Sequence, residues 1–388
     1  MRAMTEKREA LPFPEATFAD RIRRSQEAVR KRGLDAMLVS APANIFYLSA
    51  FHTPAYDNFQ FMLLPASGEP VMFNILHESE CLVAARSYVR KRVSYPGWMP
   101  HLDAARDLLV AQGLERGRIG LEKAAFFITI RDFEGLHERL PHIRFEDATG
   151  VVEQFRRVKS EEELAVLRQA ARVVEAGMQA GIDATREGVV DCDIAAAVHH
   201  GLVAAGGDYM SYPPFVNVGW NSSLVHNTWN GTRAVNSDLV FLEISGVVKR
   251  YGAALMRSVA VGKIPAEMER RNTIVHDVLA RTIDAIKPGI TSGDANRACL
   301  EAFAGHGYKV MKRSGYSMGI NFPPGWSEGN FLDISHQSPV VLEPGMVFHL
   351  PQPYRVPGEQ TVSTSETVVV TKTGCEPITR FPRRLFRR

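Results

Sequence analysis

Apolar and polar positions recur with two different periods through the first part of the chain. Charged residues with spaced apolar positions over 18–32 predict a helix, and Asp35-Ala36-Met37-Leu38-Val39-Ser40 predicts a short buried strand. Phe61-Met62-Leu63-Leu64-Pro65 and Val71-Met72-Phe73-Asn74 predict two strands around the turn Ala66-Ser67-Gly68. A further helix over 101–113 leads into a strand at Arg118-Ile119-Gly120-Leu121. Alternation of this kind specifies an α/β domain.

The pattern changes near residue 155, which sets expected domains of 1–155 and 156–388. Ser160-Glu161-Glu162-Glu163 is a capping box, with the Ser hydroxyl and Glu163 satisfying free backbone donors. The helix behind it carries Leu164, Leu167, Ala171, Val174 and Met178 on one face, and Gly188 lies just beyond as a natural stop. A weak internal repeat follows, offset by 101 residues: Glu187-Gly188-Val189 matches Pro288-Gly289-Ile290, Asp193 matches Asp294, Ala197 matches Ala298 and Gly206 matches Gly307. The long helix of the second copy is carried by Val275, Leu279, Ile283 and Ile286. Two such halves imply a pseudo-twofold α+β domain whose sheets face each other across one cleft.

Composition narrows the function classes. With 388 residues the chain is too long for one compact core, and 45% hydrophobic with 23% charged residues is a globular balance. No run of eighteen apolar residues is present, so no transmembrane helix is expected. The N-terminal stretch MRAMTEKREALPFPE lacks the apolar core of a secretory signal, which sets the expectation of a cytoplasmic protein. Cys81, Cys192, Cys299 and Cys375 are scattered without CxxC spacing, as expected of reduced thiols. A net charge of +3 from 46 basic and 43 acidic residues carries no nucleic-acid or membrane bias. The one basic cluster, Arg380, Arg383, Arg384, Arg387 and Arg388, is expected to be a solvated tail.

The chemistry begins at Leu239-Val240-Phe241-Leu242-Glu243-Ile244, an apolar strand interrupted by one carboxylate. An acid in such a run is paired or functional, because an isolated buried charge is very costly. The stretch Phe241-Leu242-Glu243-Ile244-Ser245-Gly246, with Tyr251 and Arg257, resembles the methionine aminopeptidase, prolidase and creatinase superfamily. So do Gly315-Tyr316-Ser317-Met318-Gly319, Leu342-Glu343-Pro344-Gly345-Met346, and Arg157-Val158-Lys159-Ser160 ahead of the capping helix. The resemblance covers essentially the whole chain. It implies an α/β N-terminal domain followed by a pita-bread catalytic domain, usually in a homodimer.

Metal-dependent members of that superfamily carry two Asp, one His and two Glu at a dinuclear site. The corresponding positions here hold Glu243, Ala254, Tyr316, Pro351 and Ser365. Ala and Pro offer no side-chain ligand, so no metal or other cofactor is expected. Within the superfamily the motifs look most like those of metal-free ectoine hydrolase. These motifs are Gly315 through Glu328, Phe241 through Tyr251, and Pro344-Gly345-Met346-Val347-Phe348-His349. Creatinase fits less well, since its second-half His is Tyr316 and its carboxylate-binding Arg positions are Asn58 and Ser327. Departures from ectoine hydrolase fall at Leu350-Pro351-Gln352-Pro353-Tyr354-Arg355, Ser363 and Gly325, so the substrate is open.

The resemblance implies a hydrolase of a carbon–nitrogen bond, amidine or amide, in a small molecule. Glu243 is then the general base, His226 the proton shuttle, and Tyr316 a hydrogen-bond donor to substrate or developing charge. Trp326 is expected to wall the pocket, Tyr56 to supply an aromatic from the N-terminal domain, and Glu328 or Glu366 to pair with a cationic amidinium. His349 is open between a site contact and a core histidine, and His199-His200 are expected to be non-catalytic. Two other classes stay open: a catalytically inactive binding or sensor protein, and a metallo-aminopeptidase or prolidase with an atypical site.

Overall fold

In the computed structural model, residues 8–329 and 331–388 are described. The chain forms two compact units, the first ending at Arg156 and the second running from Arg157 to Arg388.

The first unit is the expected α/β layer. Helix α1 (Glu15–Lys31) precedes β1 (Ala36–Val39), α2 (Pro42–Ser49), β2 (Phe61–Pro65), β3 (Val71–Ile75), β4 (Arg92–Tyr95), α3 (His101–Ala111), β5 (Arg118–Leu121), α4 (Ile130–Arg139) and β6 (Arg144–Asp147). The strands form one sheet in the order β4-β3-β2-β1-β5-β6. Its centre is a wholly buried apolar run, Met37, Leu38, Val39, Met62, Leu63 and Leu64, as befits strands covered on both faces.

The second unit opens on α5 (Glu161–Ala184), whose Ser160–Glu163 capping box is formed in both directions. Leu164, Leu167, Ala171, Val174 and Met178 are all buried. Then come α6 (Asp191–Ala204), β7 (Phe215–Val218), β8 (Leu239–Val248) and β9 (Tyr251–Ala260). The second half repeats the order with α7 (Ala266–Ala285), α8 (Ser292–Gly305), β10 (Gly315–Ser317), β11 (Asp333–Ile334), β12 (Val347–Tyr354), β13 (Val362–Val370), β14 (Cys375–Pro377) and β15 (Phe386–Arg387). The sheets run β15-β9-β8-β7 and β11-β10-β12-β13-β14.

Each sheet buries one face under its own helices. Leu242, Ile244 and Gly246 of β8 turn towards α5, and a Cβ on Gly246 would lie 2.5 Å from the Val174 nitrogen. Phe348, Leu350, Val368 and Val370 pack with Leu279 and Ile283 of α7. Side chains alternate along a strand, so Phe241, Glu243 and Ser245 emerge on the opposite face from α5, and His349, Pro351, Ser365 and Thr367 on the opposite face from α7. These two faces meet. The Ala254 amide donates to Thr367 Oγ1 at 2.9 Å and the Met256 amide to Ser365 Oγ at 2.6 Å.

All five arginines of the basic tail are exposed, as expected of a solvated tail, but the segment is also fixed to the domain. Phe386 and Arg387 extend β9 in parallel, Arg383 pairs with Glu366, Arg387 with Glu269 and Arg388 with Asp183. Phe381 and Leu385, which interrupt the charges in sequence, anchor it by packing: Phe381 rings on Phe386 and Leu385 meets the α7–α8 core.

Candidate active site

Glu243 is the acid that the strand pattern singled out. It stands on β8 opposite Phe215 of β7 and Met256 of β9, with its residue only 8% exposed. No hydrogen bond reaches its carboxylate among the described residues. Burial pushes its pKa up to about 8, against a smaller opposing pull from the Arg355 guanidinium.

Phe215 joins this acid to two other residues. Its ring lies 5.7 Å from that of His226 and 5.2 Å from that of Trp326. His226 is exposed and sits at φ 57, in the left-handed region that non-glycine residues seldom adopt. The next residue holds it there. Asn217 of β7 donates to the Asn227 carbonyl at 3.0 Å, and Asn227 donates back to Asn217 Oδ1 at 2.7 Å. Partial desolvation, then Arg355 and Arg313, lower the His226 pKa below its ordinary value.

Across the cleft face a chain of hydrogen bonds is centred on Tyr316. The Trp326 indole N–H donates to the Tyr316 oxygen at 2.7 Å. His349 Nδ1 also lies 2.7 Å from that oxygen, and Nε2 lies 2.7 Å from Ser365 Oγ. Burial, reinforced by Arg313, Lys312 and Arg257, pushes the His349 pKa down to about 3, so the ring is neutral and carries one N–H. The chain therefore has two senses. If Nδ1 holds the proton, it donates to Tyr316, whose oxygen then accepts two bonds and whose O–H is left to donate into the cleft. If Nε2 holds it, Tyr316 donates to Nδ1 and the Ser365 hydroxyl hydrogen is the one released. Burial, with Glu243 second, raises the Tyr316 pKa well above its ordinary value and keeps the phenol protonated.

The structure thus brings Glu243, His226, Tyr316 and Trp326 together, with His349 both core histidine and partner of Tyr316. The two other acids are already engaged elsewhere. Glu328 is buried, ion-paired with Lys159, and accepts from Ser317 Oγ at 2.7 Å and the Ile320 amide at 3.2 Å. A Cβ on Gly319 would lie 2.4 Å from its Oε1, so glycine there is what makes room for it. Glu366 sits on the far side of β13, taken by Arg257 at 2.8 Å and Arg383 at 3.0 Å. The expectation that either acid meets a cationic substrate is corrected: strand alternation turns Glu366 away from the cleft, and Lys159 neutralises Glu328. Tyr56 belongs to the first unit, in the loop between α2 and β2, edge-on to Phe127 at 6.0 Å. His199 lies on α6 against Trp229.

Comparison with known proteins places the chain. The model of the creatinase/prolidase N-terminal domain matches residues 21–158, and that of metallopeptidase family M24 matches residues 165–372, more than half of the chain. The chain belongs to metallopeptidase family M24. It is 28% identical over 400 residues to ectoine hydrolase of Halomonas elongata, covering 97% of this chain and 98% of that protein. An uncharacterized hydrolase/peptidase of Sinorhizobium fredii is 29% identical over 387 residues, at 97% and 98% coverage. Among solved structures, the prolidase of Thermococcus sibiricus superposes with a TM-score of 0.86 at 18% identity, over 96% of this chain and 99% of that one. The prolidase of Pyrococcus horikoshii OT3 gives 0.83 at 20% identity, over 94% and 99%. These likenesses establish the fold: a creatinase-type N-terminal domain and a pita-bread catalytic domain.

The residues at the metal positions of this family do not fit a dinuclear centre. Ala254 presents a methyl group and Pro351 a ring. Ser365 and Tyr316 already hold His349, and Ser365 also accepts from the Met256 amide. Among the described residues, no three His, Cys, Asp or Glu side chains gather as metal ligands.

Sequence reasoning missed three contributors. Arg355 acts on both Glu243 and His226, yet in sequence it is one basic residue in a divergent loop. Ser365 reads as an emptied ligand position and turns out to be the end of the Tyr316 chain. The Asn217–Asn227 clamp spans ten residues and follows no motif.

Proposed function

We propose that this family member is a metal-independent hydrolase of a carbon–nitrogen bond, amide or amidine, in a small amino-acid-like or compatible-solute-like molecule. The observation that carries the reading is Glu243: a buried carboxylate, free of hydrogen bonds among the described residues, with its pKa raised to about 8. A carboxylate so placed is a stronger base than an exposed one and can take a proton from water. The similarity to ectoine hydrolase supports a cyclic amidine or its ring-opened N-acyl form as the reacting group.

Side chains supply each step. Glu243 removes a proton from water as the water oxygen bonds to the amide or amidine carbon. The Tyr316 O–H, freed when His349 donates through Nδ1, stabilises the charge developing on the substrate heteroatom. As the carbon–nitrogen bond breaks, the proton taken by Glu243 is returned to the leaving nitrogen, with His226 as the shuttle. Phe215, Met256 and Trp326 keep the surroundings of the acid apolar.

The test is a turnover screen of ectoine, creatine-like compounds, small N-acyl amino acids and Xaa-Pro dipeptides, after dialysis against a chelator and elemental analysis. Hydrolysis of a non-peptide substrate, unchanged by chelation and with substoichiometric metal, is the expected result. Chelator-sensitive cleavage of Xaa-Pro dipeptides would make the chain an atypical metallopeptidase, and no turnover of any class would make it a binding protein.

A further inference from the structure

Arg355 is the residue of the second unit whose placement the proposed chemistry leaves unexplained. It follows β12 directly, and its backbone is fixed: the Tyr308 hydroxyl donates to its carbonyl, and Tyr308 stacks on the adjacent Tyr354 at 4.0 Å. The guanidinium turns to the cleft, its Cζ lying 6.0 Å from the centroid of Phe241, the residue two before Glu243 on the same face of β8. Its Nε is buried without a partner. Among the described residues, no hydrogen bond or salt bridge engages the guanidinium. The contrast is Arg257, equally basic and wholly buried, whose fork is filled by Glu366 and by the Phe381 and Pro382 carbonyls.

A partly desolvated guanidinium whose donors are unfilled among the described residues has a place for an acceptor. Among the described residues none is offered: Glu328 and Glu366 are committed to Lys159, Arg257 and Arg383, and no salt bridge joins Arg355 to Glu243. A guanidinium stays charged even where burial opposes it. Its planar fork matches a carboxylate in two parallel hydrogen bonds.

We infer that Arg355 is the anchor for a carboxylate of the substrate, so that the molecule hydrolysed is an amide or amidine bearing a free acid. This rests on the hydrolase reading above and extends it to the substrate class. The anchored acid lies at the end of the cleft from which Arg355 acts on both Glu243 and His226, which sets the reacting carbon between the cation and the base. Arg313, which lies 4.7 Å above the Tyr316 ring, adds to the positive field, although Asp333 holds it at 3.1 Å. An uncompensated amidinium, by contrast, would face these cations with Glu328 and Glu366 already ion-paired and Glu243 as the acid nearby.

The experiment pairs ectoine and N-acetylglycine with their methyl esters, measured by calorimetry for binding and separately for turnover, on wild type, Arg355→Gln and Arg355→Lys. Wild type is expected to bind at least one acid roughly tenfold or more tighter than its ester. Arg355→Gln should weaken that acid roughly ten- to hundredfold and leave the ester unchanged, and Arg355→Lys should recover part of the loss. Melting curves of both variants show that they fold, and either variant alone decides the acid-to-ester ratio. Acid-selective binding without turnover keeps this inference and removes the hydrolase reading. Turnover with no preference for the acid keeps the hydrolase and overturns the carboxylate anchor, as does an Arg355→Gln variant that still prefers the acid. Absence of both binding preference and turnover overturns both.

Discussion

Glu243 shows how one side chain couples stability to chemistry. Its folded pKa of about 8 lies above the ordinary glutamate value of 4.5, because burial disfavours the charged form. Below the unfolded value the carboxyl is protonated in both states and its stability contribution is fully present. Between 4.5 and 8 the unfolded chain ionises while the folded one keeps its proton, so stability is lost as pH rises through about 8. Glu243→Gln removes that loss. The variant should melt at or above the wild-type temperature, with the advantage growing from pH 5 to pH 8 to an order of a few kcal/mol. Its kcat should fall roughly 10²- to 10⁴-fold, the usual effect of losing a general base. In wild type, kcat/KM should climb as pH passes through about 8. Turnover of Glu243→Gln within a few-fold of wild type would show that a different group is the base.

Among elements, β8 carries the argument, because its two faces have unrelated tasks. Leu242, Ile244 and Gly246 pack on α5, while Phe241, Glu243 and Ser245 belong to the cleft. Gly246 permits this closeness: an added Cβ would meet the Val174 nitrogen at 2.5 Å and the Ala170 carbonyl at 2.7 Å, both backbone atoms inside a helix. Gly246→Ala must push strand and helix apart, at a cost of about 1–3 kcal/mol or more. Denaturant unfolding should show that loss, and kcat should drop with it, since Glu243 is three residues away on the same strand. An unchanged unfolding midpoint would mean that the helix yields without cost.

At the scale of the whole catalytic unit, two buried ion pairs join its halves. Lys159, just ahead of α5, reaches Glu328 beyond β10, and Arg257 of β9 reaches Glu366 of β13; all four side chains are at most 1% exposed. Such pairs matter most when one member is removed, since the other is then a buried charge without its partner. Lys159→Met should destabilise the protein by about 3–5 kcal/mol, and the double change with Glu328→Leu should restore much of that. Equilibrium unfolding of the three variants checks this. A double variant no more stable than Lys159→Met would show that Glu328 has further obligations, of which Ser317 and the Ile320 amide are two.

Local pattern determined a good deal by itself. A continuous apolar run broken by one acid marked the strand of Glu243, which is buried along nearly its whole length, and period-3.6 runs marked the capped helix after Ser160 and the long helix of the second copy, because burial on one helix face dictates residue type at fixed spacing. The same residues at former metal positions, Ala254 and Pro351, could be read as lacking ligand atoms from their chemistry alone. Only the tertiary structure decided which acids are free. Glu243, Glu328 and Glu366 look alike in sequence, but Glu328 is neutralised by a cation 169 positions away and Glu366 by one 109 and another 17 positions away. The Tyr316–His349–Ser365 chain depends on strands β10, β12 and β13 lying side by side, and the left-handed turn at His226 depends on a clamp to β7. Arg355 needed the third dimension most. A basic residue in a variable loop carries no signal until Phe241 and Glu243 are seen beneath it, because electrostatic partners are set by distance in space and not by spacing along the chain.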